Sequence, residues 1–125
     1  MTRQRLVFSR RRYPNIRRHT IRAVRRGWPR VMVLNRRGAD KRRDRLLDPA
    51  IFPTRAGFDR DEYPAAVGRG RANGTQRGLI RGTGPIGWRA DVEYVRSSEN
   101  RSHGSSLGAK LRRFCDGTRV RYVFA

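Results

Sequence analysis

Apolar residues recur along the chain at spacings that predict short strands and about three helices. Alternating or continuous apolar runs predict strands at 6–8, 31–34, 90–95 and 120–124. Apolar positions at helical spacing, together with turn residues, predict helices at 16–26, 39–47 and 107–114. Asn15 is placed to cap the first helix and Gly27 to end it, while Asp116 and Gly117 close the last one. This mixed order predicts an α+β fold with a short mixed or antiparallel sheet.

Two segments between these elements have the composition of loops. Residues 48–54 contain Pro49 and Pro53, which disfavour regular structure. Residues 68–87 contain seven glycines among several arginines, so we expect a long, flexible, basic loop there rather than a second domain. A length of 125 residues favours a single domain that spans 1–125.

The charge of the chain changes this picture, because 31 basic residues face only 10 acidic ones and give a formal net charge of +21. A surface so positive implies a polyanionic partner, with nucleic acid first and an acidic protein second. The single cysteine, Cys115, excludes an intrachain disulfide, and we expect it to be a small core residue. No apolar run approaches the roughly 18 residues of a membrane span, and no signal-peptide stretch follows the basic start at 1–12.

Three of the few acidic residues, Asp59, Asp61 and Glu62, lie within four positions of each other. Carboxylates so close together in a basic protein suggest groups that hold a cation or accept a proton. An equally simple interpretation is that they pair with arginines and stabilise a turn before Pro64. His19, inside the first predicted helix, is interpreted as a structural histidine on the surface or partly buried.

Five phrases, taken together and in order, resemble the NucA/NucB deoxyribonucleases, a family of small secreted DNA-degrading enzymes. The phrases are Arg12-Tyr13-Pro14, Gly38-Ala39-Asp40-Lys41-Arg42-Arg43, Pro53-Thr54-Arg55-Ala56-Gly57-Phe58-Asp59-Arg60-Asp61-Glu62-Tyr63-Pro64, Ser98-Glu99-Asn100-Arg101 and Asp116-Gly117-Thr118-Arg119-Val120. The resemblance runs from about Phe8 to the last residue.

The resemblance implies a phosphodiesterase with a minimal ββα-metal active site that uses Mg²⁺ or Mn²⁺. Asp61 matches the general-base aspartate of the family, and Arg60 and Glu62 are its catalytic neighbours in the motif. Asn100 and Glu99 match the segment expected to supply the metal ligands. Hard carboxylate and amide oxygens suit either metal.

Arginines near these acids are expected to hold the phosphate backbone of DNA, or of RNA, with little sequence preference. The expected set is Arg42, Arg43, Arg69, Arg71 and Arg101. Solvated surface charge remains the plain alternative for such runs. The resemblance further implies a secreted or delivered monomer, not bound to a membrane, with an acidic inhibitor or immunity protein as a partner if it acts as a toxin. The competing hypothesis is a non-catalytic, highly basic nucleic-acid-binding protein of the ribosome-associated type.

Overall fold

The computed structural model describes residues 3–37, 39–46, 53–65, 68–69, 80–81 and 90–125. Within these ranges the chain forms seven strands and three helices. In chain order they are β1 (Gln4–Phe8), α1 (Pro14–Arg25), β2 (Met32–Leu34), α2 (Ala39–Leu46), β3 (Phe58–Tyr63), β4 (Gly68–Arg69), β5 (Ile80–Arg81), β6 (Ala90–Arg96), α3 (Ser97–Leu111) and β7 (Arg119–Phe124).

The strands form two small sheets. In the first sheet the order is β1-β7-β2-β4, with β1 and β7 parallel and the other pairs antiparallel. In the second sheet the order is β3-β6-β5, and both pairs are antiparallel. This arrangement confirms the predicted α+β fold with a short mixed sheet and three helices.

Buried and exposed side chains alternate along β1. Leu6 and Phe8 are buried, while Val7 between them is 45% exposed, as expected for successive residues on opposite faces of a strand. The ring of Phe8 packs against those of Tyr122 and His103, with centroids 5.3 and 4.4 Å apart. An aromatic core therefore joins the first sheet to α3.

Two predicted helix boundaries are wrong. α3 begins at Ser97, ten residues before the predicted start at 107, because its buried face continues from Leu111 and Leu107 to His103 and then to polar residues. α1 begins at Pro14, so Asn15 lies inside the helix and is not its cap. Both errors occur where polar side chains occupy helix positions that apolar periodicity does not detect.

Two expectations about the rest of the chain also need correction. Gly68–Arg69 and Ile80–Arg81 form β4 and β5, so the predicted loop at 68–87 does not hold at these four positions; the remainder of that segment lies outside the described residues. Strands of two residues are too short to show a period. Cys115 is exposed rather than buried, since it follows the end of α3.

No helix in the described ranges has the length and apolar content needed to cross a membrane.

Candidate active site

Two antiparallel strands and the helix that follows them form the framework of the site. β3 pairs with β6 so that Phe58 lies opposite Arg96, and α3 begins at the next residue, Ser97. The amide of Ser97 donates to the carbonyl oxygen of Gly57 at 3.0 Å, and Gly57 has a φ of 80° that suits glycine. The first turn of α3 is thereby held beside the start of β3.

β3 distributes the acidic residues between its two faces. Because successive side chains of a strand point to opposite sides, Asp59, Asp61 and Tyr63 share one face, while Arg60 and Glu62 belong to the other. The predicted catalytic residues Arg60, Asp61 and Glu62 therefore alternate along the strand, and all three line the same cleft. The carboxylates lie in a strand, not in a turn before Pro64.

Asp61 is held by a histidine from α1. Nδ1 of His19 lies 2.7 Å from Oδ2 of Asp61, and Nε2 of His19 lies 3.0 Å from Oδ1 of Asp91 in β6. His19 and Asp91 are buried, with 1% and 0% of their side chains exposed, whereas Asp61 is 17% exposed. The imidazole thus connects a fully buried carboxylate to one that reaches solvent.

The surroundings of His19 favour its charged form. Burial alone would lower the pKa of His19, but the hydrogen bonds to Asp61 and Asp91 and the charges of Asp61 and Glu93 outweigh it and raise the pKa to about 9. At neutral pH the ring is therefore protonated and donates a hydrogen bond from each nitrogen. Both ring nitrogens of His19 therefore have carboxylate partners in this structure.

A second acidic group lies behind His19, where Nε2 of His19 and oxygens of Asp91 and Glu93 come within 4.8 Å of one another. This spacing would suit a metal ion, but Nη1 of Arg26 is 3.0 Å from an oxygen of Asp91 and 3.3 Å from one of Glu93. Arg22 adds a second contact to Glu93 at 2.8 Å. These arginine contacts neutralise both carboxylates, so in this structure the group forms a partly buried ion-pair network.

Asp59 organises the start of α3. Its oxygens accept hydrogen bonds from Ser97 Oγ at 2.8 Å, Asn100 Nδ2 at 3.4 Å and Arg101 Nε at 3.3 Å. Burial acts to raise the pKa of Asp59, but these hydrogen bonds and the charge of Arg101 prevail and lower the pKa below its usual value. Asp59 therefore stays ionised and fixes three side chains of the helix.

The contact with Asp59 also orients the amide of Asn100. Because Nδ2 donates to Asp59, the amide oxygen of Asn100 is the atom left for another partner. Asn100 and Asp61 both line the same cleft. An amide oxygen held in this way fits the donor chemistry of a hard divalent cation.

Glu99 has a different environment from its neighbour Asn100. Its Oε2 accepts hydrogen bonds from the backbone amides of Asn15 and Ile16 at 2.8 and 2.7 Å, and its Oε1 accepts one from Asn15 Nδ2 at 2.9 Å. These donors lie at the amino terminus of α1, where a negative charge is favoured by the helix dipole. Glu99 caps α1, so both of its oxygens have partners away from Asn100.

The cleft has a volume of about 880 Å³ and combines acidic and basic walls. Asp59, Asp61, Glu62 and Asn100 supply oxygen donors. The cationic residues that line it are Arg36, Arg43, Arg60 and Arg112. A cleft lined by both acids and arginines is suited to a phosphate that must meet both a cation and a base.

The arginines expected to bind nucleic acid have separate locations. Arg43 in α2 lies 3.8 Å from Glu62 and 3.5 Å from Asp40, and Arg101 is 77% exposed beside Asp59. The backbones of Arg42 and Arg69 belong to α2 and β4, but their side chains lie outside the described part of the structure. Arg71 lies outside it altogether.

Sequence reasoning missed the connection of His19 and Asp91 to Asp61. One signal was available, since His19 stands three residues after Ile16 and four before Ala23 and so belongs to the buried face of α1. A polar residue on that face needs partners, and the excess of acids in β3 and β6 supplies them.

The fold and cleft define a small, basic α+β protein whose carboxylates and amide are positioned for chemistry on a polyanion. The chain is similar to the DNA-entry nuclease of Bacillus subtilis (strain 168), with 31% identity over 118 residues that cover 94% of this chain and 69% of that protein. No established family profile matches the chain. On the strength of this similarity the chain belongs to the NucA/NucB-type nuclease family.

Proposed function

We propose that the protein is a divalent-metal-dependent endonuclease that hydrolyses phosphodiester bonds of DNA with little sequence preference. The observation that carries this proposal is Asp61, a carboxylate that reaches the cleft on one side and is held by the buried His19 on the other. The similarity to a DNA-entry nuclease supports the choice of substrate. A secreted or delivered setting, as the resemblance implies, is part of the proposal.

In this proposal Asp61 accepts a proton from the attacking water. His19 engages Oδ2 of Asp61, so Oδ1 is the oxygen that faces the water. Because His19 is itself held by Asp91, rotation of the Asp61 carboxylate is restricted before substrate arrives. A base fixed in advance needs less reorganisation in the transition state.

Asn100 is the proposed metal ligand, with its amide oriented by Asp59. The remaining donors would be water and phosphate oxygens, as is usual for Mg²⁺ or Mn²⁺. When bound, such an ion supplies positive charge to the oxygens of the scissile phosphate. Glu99 is not part of this proposed site, because it caps α1.

The arginines of the cleft are proposed to hold the phosphates on either side of the bond that is cut. Arg43 lines the cleft near Glu62, and the exposed Arg101 lies beside Asp59 at its edge, so each can exchange a carboxylate contact for a phosphate contact. Arg60 lines the same cleft. Contacts of this kind read the backbone and not the bases.

Plasmid degradation with and without a chelator tests the proposal. The purified protein should convert supercoiled plasmid to short fragments, lose this activity with EDTA, and regain it with excess Mg²⁺ or Mn²⁺. Asp61→Asn should cleave far more slowly than the parent at every metal concentration. Asp44→Asn, which makes the same chemical change at an exposed position of α2, should behave as the parent. Tight binding of plasmid without any cleavage would instead support the non-catalytic binding protein.

A further inference from the structure

We infer that a second concave surface, next to the cleft, binds phosphates of the DNA strand several nucleotides from the bond that is cut. This inference rests on the proposed function. The flanking surface, as we call it, is a depression of about 570 Å³. It is lined by Arg11, Arg12, Asn15, Arg96, Ser98 and Ser102, together with Pro14 and Glu99.

The arginines of the flanking surface have no acidic partner within the described part of the chain. Arg22, Arg26 and Arg36 form ion pairs within 3.0 Å with Glu93, Asp91 and Asp116 respectively. Among the described residues, by contrast, Arg11, Arg12 and Arg96 form no ion pair, and all three are exposed. Three cations that converge on one depression repel each other unless an anion lies between them.

The carboxylate at this surface does not supply that anion. Glu99 directs both oxygens to the amino terminus of α1, where they accept three hydrogen bonds from Asn15 and Ile16. Ser98 is exposed at the surface, and the Ser102 hydroxyl has one partner, the hydroxyl of Tyr13 at 3.2 Å. The flanking surface thus offers guanidinium and hydroxyl donors, the groups that most often contact DNA phosphates.

The position of the flanking surface relative to the cleft follows from the geometry of α3. Asn100 lines the cleft and Ser97 contacts Asp59, while Ser98 and Ser102, four residues apart, lie on another side of the same helix. Arg101 lies between these two faces and contacts Asp59 from the exposed side. The first turns of α3 therefore separate the two surfaces, and Arg101 links them.

One DNA duplex can reach both surfaces, because they lie on two sides of the same helix. A helix with its side chains is about 10 Å across, and one strand advances about 3.4 Å per nucleotide along the duplex axis. A duplex with one phosphate at Asp61 would then bring phosphates about three nucleotides away to the flanking surface. We therefore assign this surface to the same duplex and not to an independent ligand.

The decisive experiment compares two triple variants in the inactive Asp61→Asn background. The first, Arg11→Gln with Arg12→Gln and Arg96→Gln, removes the cations of the flanking surface. The matched control, Arg3→Gln with Arg5→Gln and Arg119→Gln, removes three exposed arginines at the opposite end of the paired strands β1 and β7. Both variants lose the same charge.

Binding of a 20-base-pair duplex is measured by fluorescence anisotropy across a salt series. Loss of three phosphate contacts should make the slope of log affinity against log salt shallower by about 2.7, and should weaken binding roughly 10- to 100-fold near 0.15 M salt. The control should change the slope by less than about one. Equal slopes for the two triple variants would overturn the inference, because general charge would then explain both.

Cleavage assays on the parent and on the triple variants with Asp61 intact separate this inference from the proposed function. The flanking triple variant should lose kcat/KM mainly through a higher KM, since its arginines are remote from the reacting atoms. If the parent cleaves DNA but the flanking triple variant keeps the parental KM and salt slope, the flanking surface does not bind DNA and only this inference is rejected. A parent that binds with the predicted slopes but never cleaves would reject the endonuclease and leave the flanking surface supported.

Discussion

Nδ1 of His19 lies 2.7 Å from Oδ2 of Asp61, although the two residues belong to different elements and are 42 positions apart in the chain. The contact places a protonated imidazole behind the carboxylate that we propose as the base. His19 binds Oδ2 of Asp61 and leaves Oδ1 available to accept the proton of the attacking water. The same ring bonds to Asp91, so α1, β3 and β6 all meet at this histidine.

The first prediction concerns Asp61 itself. Asp61→Asn keeps the size of the side chain and its contact with His19, but an amide does not accept the proton of the attacking water. Cleavage should fall by about 10²- to 10⁴-fold, while the protein still folds and keeps its duplex affinity. A variant that cuts at the parental rate would show that Asp61 is not the base.

The second prediction follows from the raised pKa of His19, which is about 9 against an ordinary value of 6.5. A group whose pKa is higher in the folded state stabilises fully below its unfolded pKa and loses this effect as pH rises through the folded value. The parent should therefore lose stability between about pH 6.5 and 9. His19→Gln should show a flatter profile in this window, by thermal unfolding.

Should His19→Gln fold poorly, Asp91→Asn gives the same information, because it removes one of the two carboxylates that hold the proton on His19. His103 provides a contrast, since burial lowers its pKa and it is neutral across this range. A parent whose stability does not change between pH 6.5 and 9 would contradict a charged His19.

The third prediction tests Asn100 as the metal ligand. Asn100→Ala removes the amide oxygen, so the concentration of Mg²⁺ or Mn²⁺ needed for half-maximal cleavage should rise by about tenfold or more. Asn100→Asp restores an oxygen donor and should recover much of the metal response. An unchanged requirement in Asn100→Ala would limit Asn100 to its contact with Asp59.

The fourth prediction concerns Glu99. Its oxygens satisfy backbone amides at the start of α1, so Glu99→Gln should destabilise the protein by about 1–3 kcal/mol in denaturant unfolding. The metal requirement of the folded fraction should stay parental. The opposite result, a higher metal requirement with normal stability, would support the interpretation of Glu99 as a ligand.

The fifth prediction concerns substrate preference. If about six phosphates are neutralised, log affinity of the Asp61→Asn protein should fall with log salt at a slope near −5. Two duplexes of unrelated sequence should bind almost equally, because backbone contacts carry no sequence information. A strong preference for one duplex would indicate base contacts in the cleft.

The sequence predicted most elements of the fold, since β1, β6, β7 and α1 carry clear periods of strand or helix. It did not predict the start of α3, where Ser97, Asn100 and His103 occupy helical positions without an apolar signal. The sequence also did not show that neighbouring residues of α3 have different partners. Glu99 and Asn100 are adjacent, but the helix rotates by about 100° per residue. Glu99 therefore points toward α1 and Asn100 toward the cleft. Only packing between distant elements decides which partner each one meets.

β1 and β7 pair in parallel although they lie near opposite ends of the sequence. The amide of Ala125 donates to the carbonyl oxygen of Phe8 at 2.9 Å, and the amide of Arg10 donates to that of Ala125 at 3.1 Å. During translation β1 therefore leaves the ribosome long before its partner exists. Tyr122 of β7 also packs on Tyr63 at the end of β3, with ring centroids 5.9 Å apart. A nascent chain without β7 lacks this support, so the core beside the proposed site is completed only when β7 has been made.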